Sequence, residues 1–199
     1  MAYGDHTPAY GYAARVPTSE RQPRLDRQAW VDAALRAWGK SGLDAVKVEP
    51  LAAGLATTKG SFYWHFANRA ELIDAALEHW AQETTSAVID AVRAEPEARR
   101  GDRLLEEVFG PHETDRAEWM IFSAAAHPQV QPVVDRVHRA RTDYLVELFR
   151  GQGVPDARAR ARAAVAYATY LGELQLRMTG ATSAAHSGEF RAELRRLLS

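Results

Sequence analysis

The chain has 199 residues, 46% of them hydrophobic and 26% charged, with a net charge of −1 and no cysteine. That length holds one generous core or two small ones, and the composition is ordinary for a soluble globular protein. The missing thiols exclude disulfides, thiolate metal sites and cysteine nucleophiles together. No apolar run reaches the roughly 18–20 residues that a bilayer span needs, and the N-terminus lacks the basic-then-apolar order of a secretory signal, so the expected location is cytoplasmic.

In chain order, residues 1–23 mix Gly, Pro, Ala and Tyr without periodicity and read as a flexible tail. Trp30, Ala33, Ala34, Ala37 and Trp38 then fall on one helical face, predicting a helix from about Asp26 to Lys40 that Gly42 ends. Val48, Leu51, Ala52 and Leu55 repeat at helical spacing, with Pro50 in the first turn, where its missing N–H costs nothing. Residues 57–66 form a third, short helix. Thr58 suits its N-cap, because the hydroxyl accepts from a first-turn amide. Phe62 and Phe66, four apart, share a face that points into a core. Thr58, Lys59, Ser61, Tyr63 and His65 project elsewhere, as groups suited to phosphates and base edges. Two short helices joined by a tight turn make a helix-turn-helix, whose second helix enters the major groove.

Asn68 with Glu71 gives an N-x-x-E variant of the capping box ahead of a long helix carrying Leu72, Ile73, Ala76, Leu77 and Trp80, and continuing toward Arg93. After a polar break at 94–102, helices are expected near 102–110, 113–125, 128–151, 156–179 and 187–198. Gly151, Gly153 and Pro155, then Gly180 and Gly188, provide the stops. No strand alternation and no internal repeat is visible. The fold class is therefore all-α.

Residues 26–80 resemble the N-terminal domain of TetR-type transcriptional repressors. The specific part is TTKGSFYWHFANRAEL (57–72), close to the family signature, while AALRAWGKSGLDAV (33–46) resembles its first helix and following turn. The resemblance implies a three-helix DNA-binding head at 24–70, with its motif at about 47–66, and an effector-binding and dimerisation body at 71–199. It also implies that Tyr63, His65 and Arg69 meet the DNA backbone and that Lys59 and Ser61 face base edges. Lys47, Thr58, Gly60 and Trp64 complete the expected DNA-contact set, Trp64 as half core and half groove contact. Ala56 stands where the family usually has a glycine, and an alanine held there at positive φ would cost roughly 1 kcal/mol. Lys47 and Val48 replace the hydroxyl residues common before the second helix.

Charge follows the same division. Residues 24–72 carry seven basic and five acidic side chains, residues 73–149 eight and fifteen, and residues 150–199 eight and four. A mildly basic head on an acidic middle suits a protein that meets DNA at one end, although solvated faces alone also produce such blocks.

In the body, Arg141 interrupts the stripe Val130, Val134, Val137, Leu145, Leu148 and must find either an internal carboxylate or an acidic ligand group. Trp119, Phe122 and Tyr144 are candidate walls of a ligand pocket around it. His112, His127 and His138 lack zinc-site spacing and read as satisfied or solvent-facing histidines; no metal and no cofactor is expected. Glu173 and Arg177 read as an i, i+4 surface pair. Small residues on the helix at 156–179, among them Ala164, Ala168 and Gly172, with Phe190, Leu194 and Leu197 on the last helix, suggest a homodimer interface. The expected protein is a repressor released from a palindromic double-stranded operator by a small-molecule effector, not an enzyme and not membrane-bound. A small helical enzyme and a ligand-independent architectural DNA binder are the alternatives.

Overall fold

The computed structural model describes residues 26–109, 115–180 and 188–198, which are helical and contain no strand. The expected tail at 1–23 and His112 lie outside them. Helix α1, Arg27–Ser41, starts where the Asp26 carboxylate accepts from the Ala29 amide and stops at Gly42, whose φ of 83° a residue with a Cβ adopts only under strain. A 3-10 turn, Leu43–Ala45, leads to α2, Val48–Gly54, and then to α3, Lys59–Phe62. Helix α4, Arg69–Ala81, begins at Asn68, whose side chain accepts from the Glu71 amide at 3.0 Å. The Glu71 carboxylate in turn accepts at 2.7 Å from the amide of Ala67, the residue before the cap, a variant of the capping box.

The long helix reaches Arg93 but not as regular α-helix. A π-turn, Gln82–Ser86, separates α4 from α5, Ala87–Arg93. Helices α6, Glu97–Phe109, α7, Asp115–Ser123, α8, Gln131–Gly151, α9, Asp156–Met178, and α10, Gly188–Leu198, complete the order. The polar break is shorter than 94–102, since α6 already starts at Glu97: its charged first turn is a solvated helical face, not a loop.

Two apolar cores organise these helices. The first joins Trp30 and Trp38 of α1 to Phe62, Phe66, Leu72 and Trp80, and continues through Ile121 of α7 into Val130, Val134 and Val137 of α8. Packing therefore does not stop at residue 70. Gly39 permits the approach of α1 to α7, because a Cβ there would stand 3.1 Å from the Ala117 amide nitrogen. The second core joins Leu105 and Phe109 of α6 to Leu145 and Phe149 of α8, Ala163 and Tyr170 of α9, and Leu194 of α10. Arg141 lies on α8 between the two.

Candidate functional site

The head presents α3 on a closed core. The Thr58 hydroxyl accepts from the Ser61 amide at 3.3 Å, capping α3. Phe62 and Phe66 are buried and stack with centroids 5.5 Å apart, and Trp30 meets Phe62 edge-on at 5.4 Å. Since these rings turn inward, Thr58, Lys59, Gly60, Tyr63 and Trp64 stand exposed, and Ser61 and His65 half-exposed. Trp64, 88% exposed, contributes nothing to the core. The expected half-core role of Trp64 is corrected, because Phe62 and Phe66 already fill the inward face of this short helix. Lys59 ion-pairs with Glu49 of α2 at 2.5 Å, and that bond lowers the Glu49 carboxyl and raises the Lys59 ammonium from their ordinary values. Lys47 is exposed at the N-cap of α2.

Arg69 is placed differently from the expected backbone contact. Its Nε donates to the Val46 carbonyl at 2.6 Å and its Nη2 to the Leu43 carbonyl at 2.8 Å, half-buried. These carbonyls belong to the 3-10 turn and its end, Leu43 O also accepting from the Val46 amide at 3.1 Å, so the guanidinium fastens α4 to the turn before α2. Ala56 sits at φ 51°, the left-handed conformation anticipated for the residue in the glycine position.

In the body a cavity of about 290 Å³ opens beside the second core. Val88, Ile89, Leu105, Phe109, Tyr167 and Tyr170 give it an apolar and aromatic wall, and the π-turn residues Glu83, Thr84 and Thr85 edge it. Arg141 and Tyr144, one helical turn apart on α8, also line it. Arg141 pairs with Glu118 of α7, its Nη1 donating to Oε1 at 2.7 Å. Its Nε donates to Thr85 Oγ1 at 2.9 Å and its Nη2 to both Thr84 O and Thr84 Oγ1 at 3.0 Å. Glu118 also accepts from Tyr170 Oη and, at 3.3 Å, from Trp80 Nε1. Burial alone would raise the Glu118 carboxyl, but the Arg141 charge and these donors hold it below the ordinary carboxylate range. Burial would likewise lower Arg141, yet Glu118 opposite it keeps the guanidinium raised. The Tyr167 phenol is pushed up to about 12 by burial.

Residues 31–76 match the family model described as bacterial regulatory proteins, tetR family. The chain carries a TetR-type N-terminal domain over these residues. It is a DNA-binding transcriptional regulator. Among solved structures, a transcriptional regulator from Rhodococcus sp. Rha1 is 21% identical with a TM-score of 0.67, over 87% of this chain and 92% of that one. A putative transcriptional regulator from Saccharomonospora viridis, in complex with choline, is 18% identical with a TM-score of 0.71, over 86% and 94%. The multidrug binding protein EbrR, complexed with imidazole, is 26% identical with a TM-score of 0.58, over 89% and 97%; a second structure of it holds malachite green. No curated protein sequence matches the chain at a significant level.

Several expectations for the body need correction. Of the four pocket candidates only Arg141 and Tyr144 line the cavity. Phe122 packs into the first core instead, edge-on to Trp80 at 5.5 Å and stacked on His138 at 4.9 Å, and Trp119 lies off the cavity wall. Glu173 and Arg177 are not a surface pair: Glu173 is buried, and the half-buried Arg177 bridges to Asp115 of α7 at 2.9 Å. On α10, Leu194 is buried in the protomer's own second core and Phe190 meets Phe109 at 5.9 Å, so both face inward and not toward a second subunit. The Leu197 side chain lies outside the described residues. Ala164, Ala168 and Gly172 are exposed along α9. His138 is satisfied, its Nδ1 2.6 Å from Tyr167 Oη, and burial together with nearby Arg141 lowers its pKa. Glu118, Thr84, Thr85 and Tyr170 went unnamed. Glu118 was legible as a carboxylate three residues before Ile121 on the inward stripe of α7, whereas nothing in the order of residues 82–86 announces a π-turn. Among the described residues no cluster of three metal-ligating side chains occurs, and no helix is long and apolar enough to cross a membrane.

Proposed function

We propose that this regulator is a homodimeric, cytoplasmic repressor released from a palindromic operator when a small, mainly apolar molecule occupies the body cavity. The observation that carries this reading is continuity. Helix α4 buries Leu72, Ile73, Leu77 and Trp80 in the head's core, and the same chain runs on through the π-turn that edges the cavity. A molecule that moves the π-turn therefore acts on the head through one connected element, and a differential affinity of about 1–3 kcal/mol between two head positions gives a 5- to 150-fold change in operator binding. Structural relatives that hold choline, imidazole or malachite green support a ligand-accepting body of this fold.

At the operator, Tyr63 and His65 contact phosphates, Lys59 and Ser61 read bases, and Lys47, Thr58, Gly60 and Trp64 complete the surface. For pairing, α9 offers an exposed stripe of Ala164, Val165, Ala168, Gly172 and Leu176, whose small side chains allow close helix approach. Two-fold symmetry then sets the recognition helices roughly 34–36 Å apart, or a multiple of it. The test is an in vitro selection from random DNA, followed by operator titration with each compound that raises the melting temperature in a metabolite screen. Recovery of a palindrome whose binding a stabilising compound weakens is the expected result. No enriched site at low salt, or hits that leave operator affinity unchanged, would sink the reading.

A further inference from the structure

The polar layer between the two cores is bonded unevenly. Arg141 has one charged partner, Glu118, while its other principal acceptors are the neutral Thr84 O, Thr84 Oγ1 and Thr85 Oγ1. Glu118 is fully occupied by Arg141, Tyr170 and Trp80. One turn along α8, the buried Tyr144 reaches the cavity wall, and its hydroxyl has no hydrogen-bond partner. A buried, unpaired hydroxyl is costly, and a ligand group that satisfied it would recover that cost. Burial also raises the Tyr144 phenol, so it stays protonated and able to donate.

Charge then restricts what enters. An anion would meet an arginine already neutralised by Glu118, beside three further carboxylates on the walls. A cation in the interior would lie against Arg141, while Glu107 and Asp115 are already paired with Arg103 and Arg177 and Glu83 is exposed at the rim. A neutral acceptor can take the place of Thr84 or Thr85 and leave every charge balanced.

Resting on the effector-controlled reading above, we infer that the effector is an uncharged, ring-bearing molecule with a hydrogen-bond acceptor, which takes a bond from Tyr144 and displaces Thr84 and Thr85 from Arg141. The displacement frees the π-turn. That turn holds one residue more than an α-turn, and its Thr84 carbonyl and two hydroxyls are tied to Arg141 across the layer. Once untied, the turn relaxes toward α-helical geometry and α4 rotates with it, carrying its face in the head's core.

Three probes on one naphthalene frame test the class with the full chain: 2-naphthamide, 2-naphthoate and 2-naphthyl-trimethylammonium, measured by calorimetry and by operator titration. The amide should bind at least about tenfold more tightly than either charged probe and lose about tenfold in Tyr144→Phe, the loss of one good hydrogen bond. Glu118→Gln, which keeps the shape but leaves Arg141 uncompensated, should turn the preference to the naphthoate. Thr84→Val with Thr85→Val should lower operator affinity with no probe present. A charged probe binding tightest to the unmodified protein, no probe binding, or an unchanged order in Glu118→Gln overturns the ligand class. Should Glu118→Gln not fold, Tyr144→Phe decides alone, and unchanged amide affinity overturns it. Unchanged operator affinity in the double valine variant overturns the π-turn step. A charged effector emerging from the metabolite screen would defeat this inference and leave effector control standing, whereas a screen with no active compound would remove both.

Discussion

The head and the body bury polarity in opposite ways. In the head, Trp30, Trp38, Phe62 and Phe66 interlock, and no charged side chain among its described residues is buried. Two indole N–H groups, of Trp30 and Trp38, even go without a partner, a cost of about 1–3 kcal/mol each that the large apolar area of the rings offsets. In the body, an arginine and a glutamate sit between two apolar cores, satisfied by threonines, a tyrosine and an indole. Interlocked rings have one good arrangement, which suits the proposed role of holding α3 toward DNA in a fixed pose. A hydrogen-bonded layer can exchange partners at small net cost, which suits the proposed response of the body to a ligand.

The sharpest way to break this comparison is to remove one side of the body's ion pair. Arg141→Ala should destabilise by about 3–5 kcal/mol, because Glu118 is then left buried without a counter-charge. Replacing both partners with apolar residues, Arg141→Met with Glu118→Leu, should recover most of that loss, since an apolar substitute for a buried pair is often neutral or stabilising. Chemical denaturation of the three proteins measures it. If the double variant is no better than the single one, the layer is required for folding and not for response.

In the head, the half-buried cation is a fastener without a carboxylate. Arg69→Ala removes two hydrogen bonds to the Leu43 and Val46 carbonyls and should cost about 1.5–3 kcal/mol, the range for bonds involving a charged group. Hydrogen exchange should rise first at residues 43–47, and operator affinity should fall because α2 loses its anchor. Retained protection there, with a reduced salt dependence of DNA binding, would instead make Arg69 a phosphate contact.

The same contrast governs what was legible in the sequence. The head could be read almost residue by residue because its determinants are local: Asp26, Thr58 and Asn68 cap the helices next to them, and Phe62 and Phe66 share a face by spacing alone. Arg69 escaped because its acceptors lie 23 and 26 residues away. In the body the helices were legible from periodicity and their ends from glycines, and Arg141 stood out as a charge on an apolar stripe. Glu118 could be read as an inward carboxylate but not as the partner of Arg141, since which carboxylate meets it depends on the tertiary approach of α7. Leu194 was an apolar residue on a terminal helix, and spacing cannot say whether such a helix folds back on its own subunit or reaches another. The π-turn leaves no pattern because it is a shift of one residue within continuous helical sequence.

Acidification should separate the two regions. His138, packed on Phe122 beside the polar layer, has its pKa lowered below the ordinary 6.5 by burial and by Arg141. A base with a depressed folded pKa adds stability that is complete above its unfolded value and is lost as pH falls through the folded one. Glu118, also lowered, acts in the same direction further down, as it approaches protonation. The melting temperature should therefore decline below about pH 6.5, with a shallower decline in His138→Gln. Fluorescence of Trp80, which donates to Glu118, should report the change before that of Trp30. Simultaneous loss of both signals at every pH would show that the layer and the head unfold as one unit.

The smallest expected effect lies in the turn between α2 and α3. Ala56 is exposed and holds a φ of 51°, the only positive φ among the described non-glycine residues. A Cβ in that conformation costs about 1–2 kcal/mol through its clash with the following carbonyl, while glycine would cost about 0.4–1 kcal/mol in unfolded-chain entropy. Ala56→Gly should thus stabilise by roughly 0.5–1 kcal/mol, which for a chain of this size moves the melting temperature up by about 1–4 °C. Operator affinity should not change, because the substitution removes strain from a turn that the aromatic core already holds in place. A lower melting temperature would mean that the Ala56 methyl makes a contact outweighing its strain. A higher melting temperature with weaker operator binding would mean that the strained turn holds α3 at its working angle, and the head would then share with the body the use of stored conformational energy.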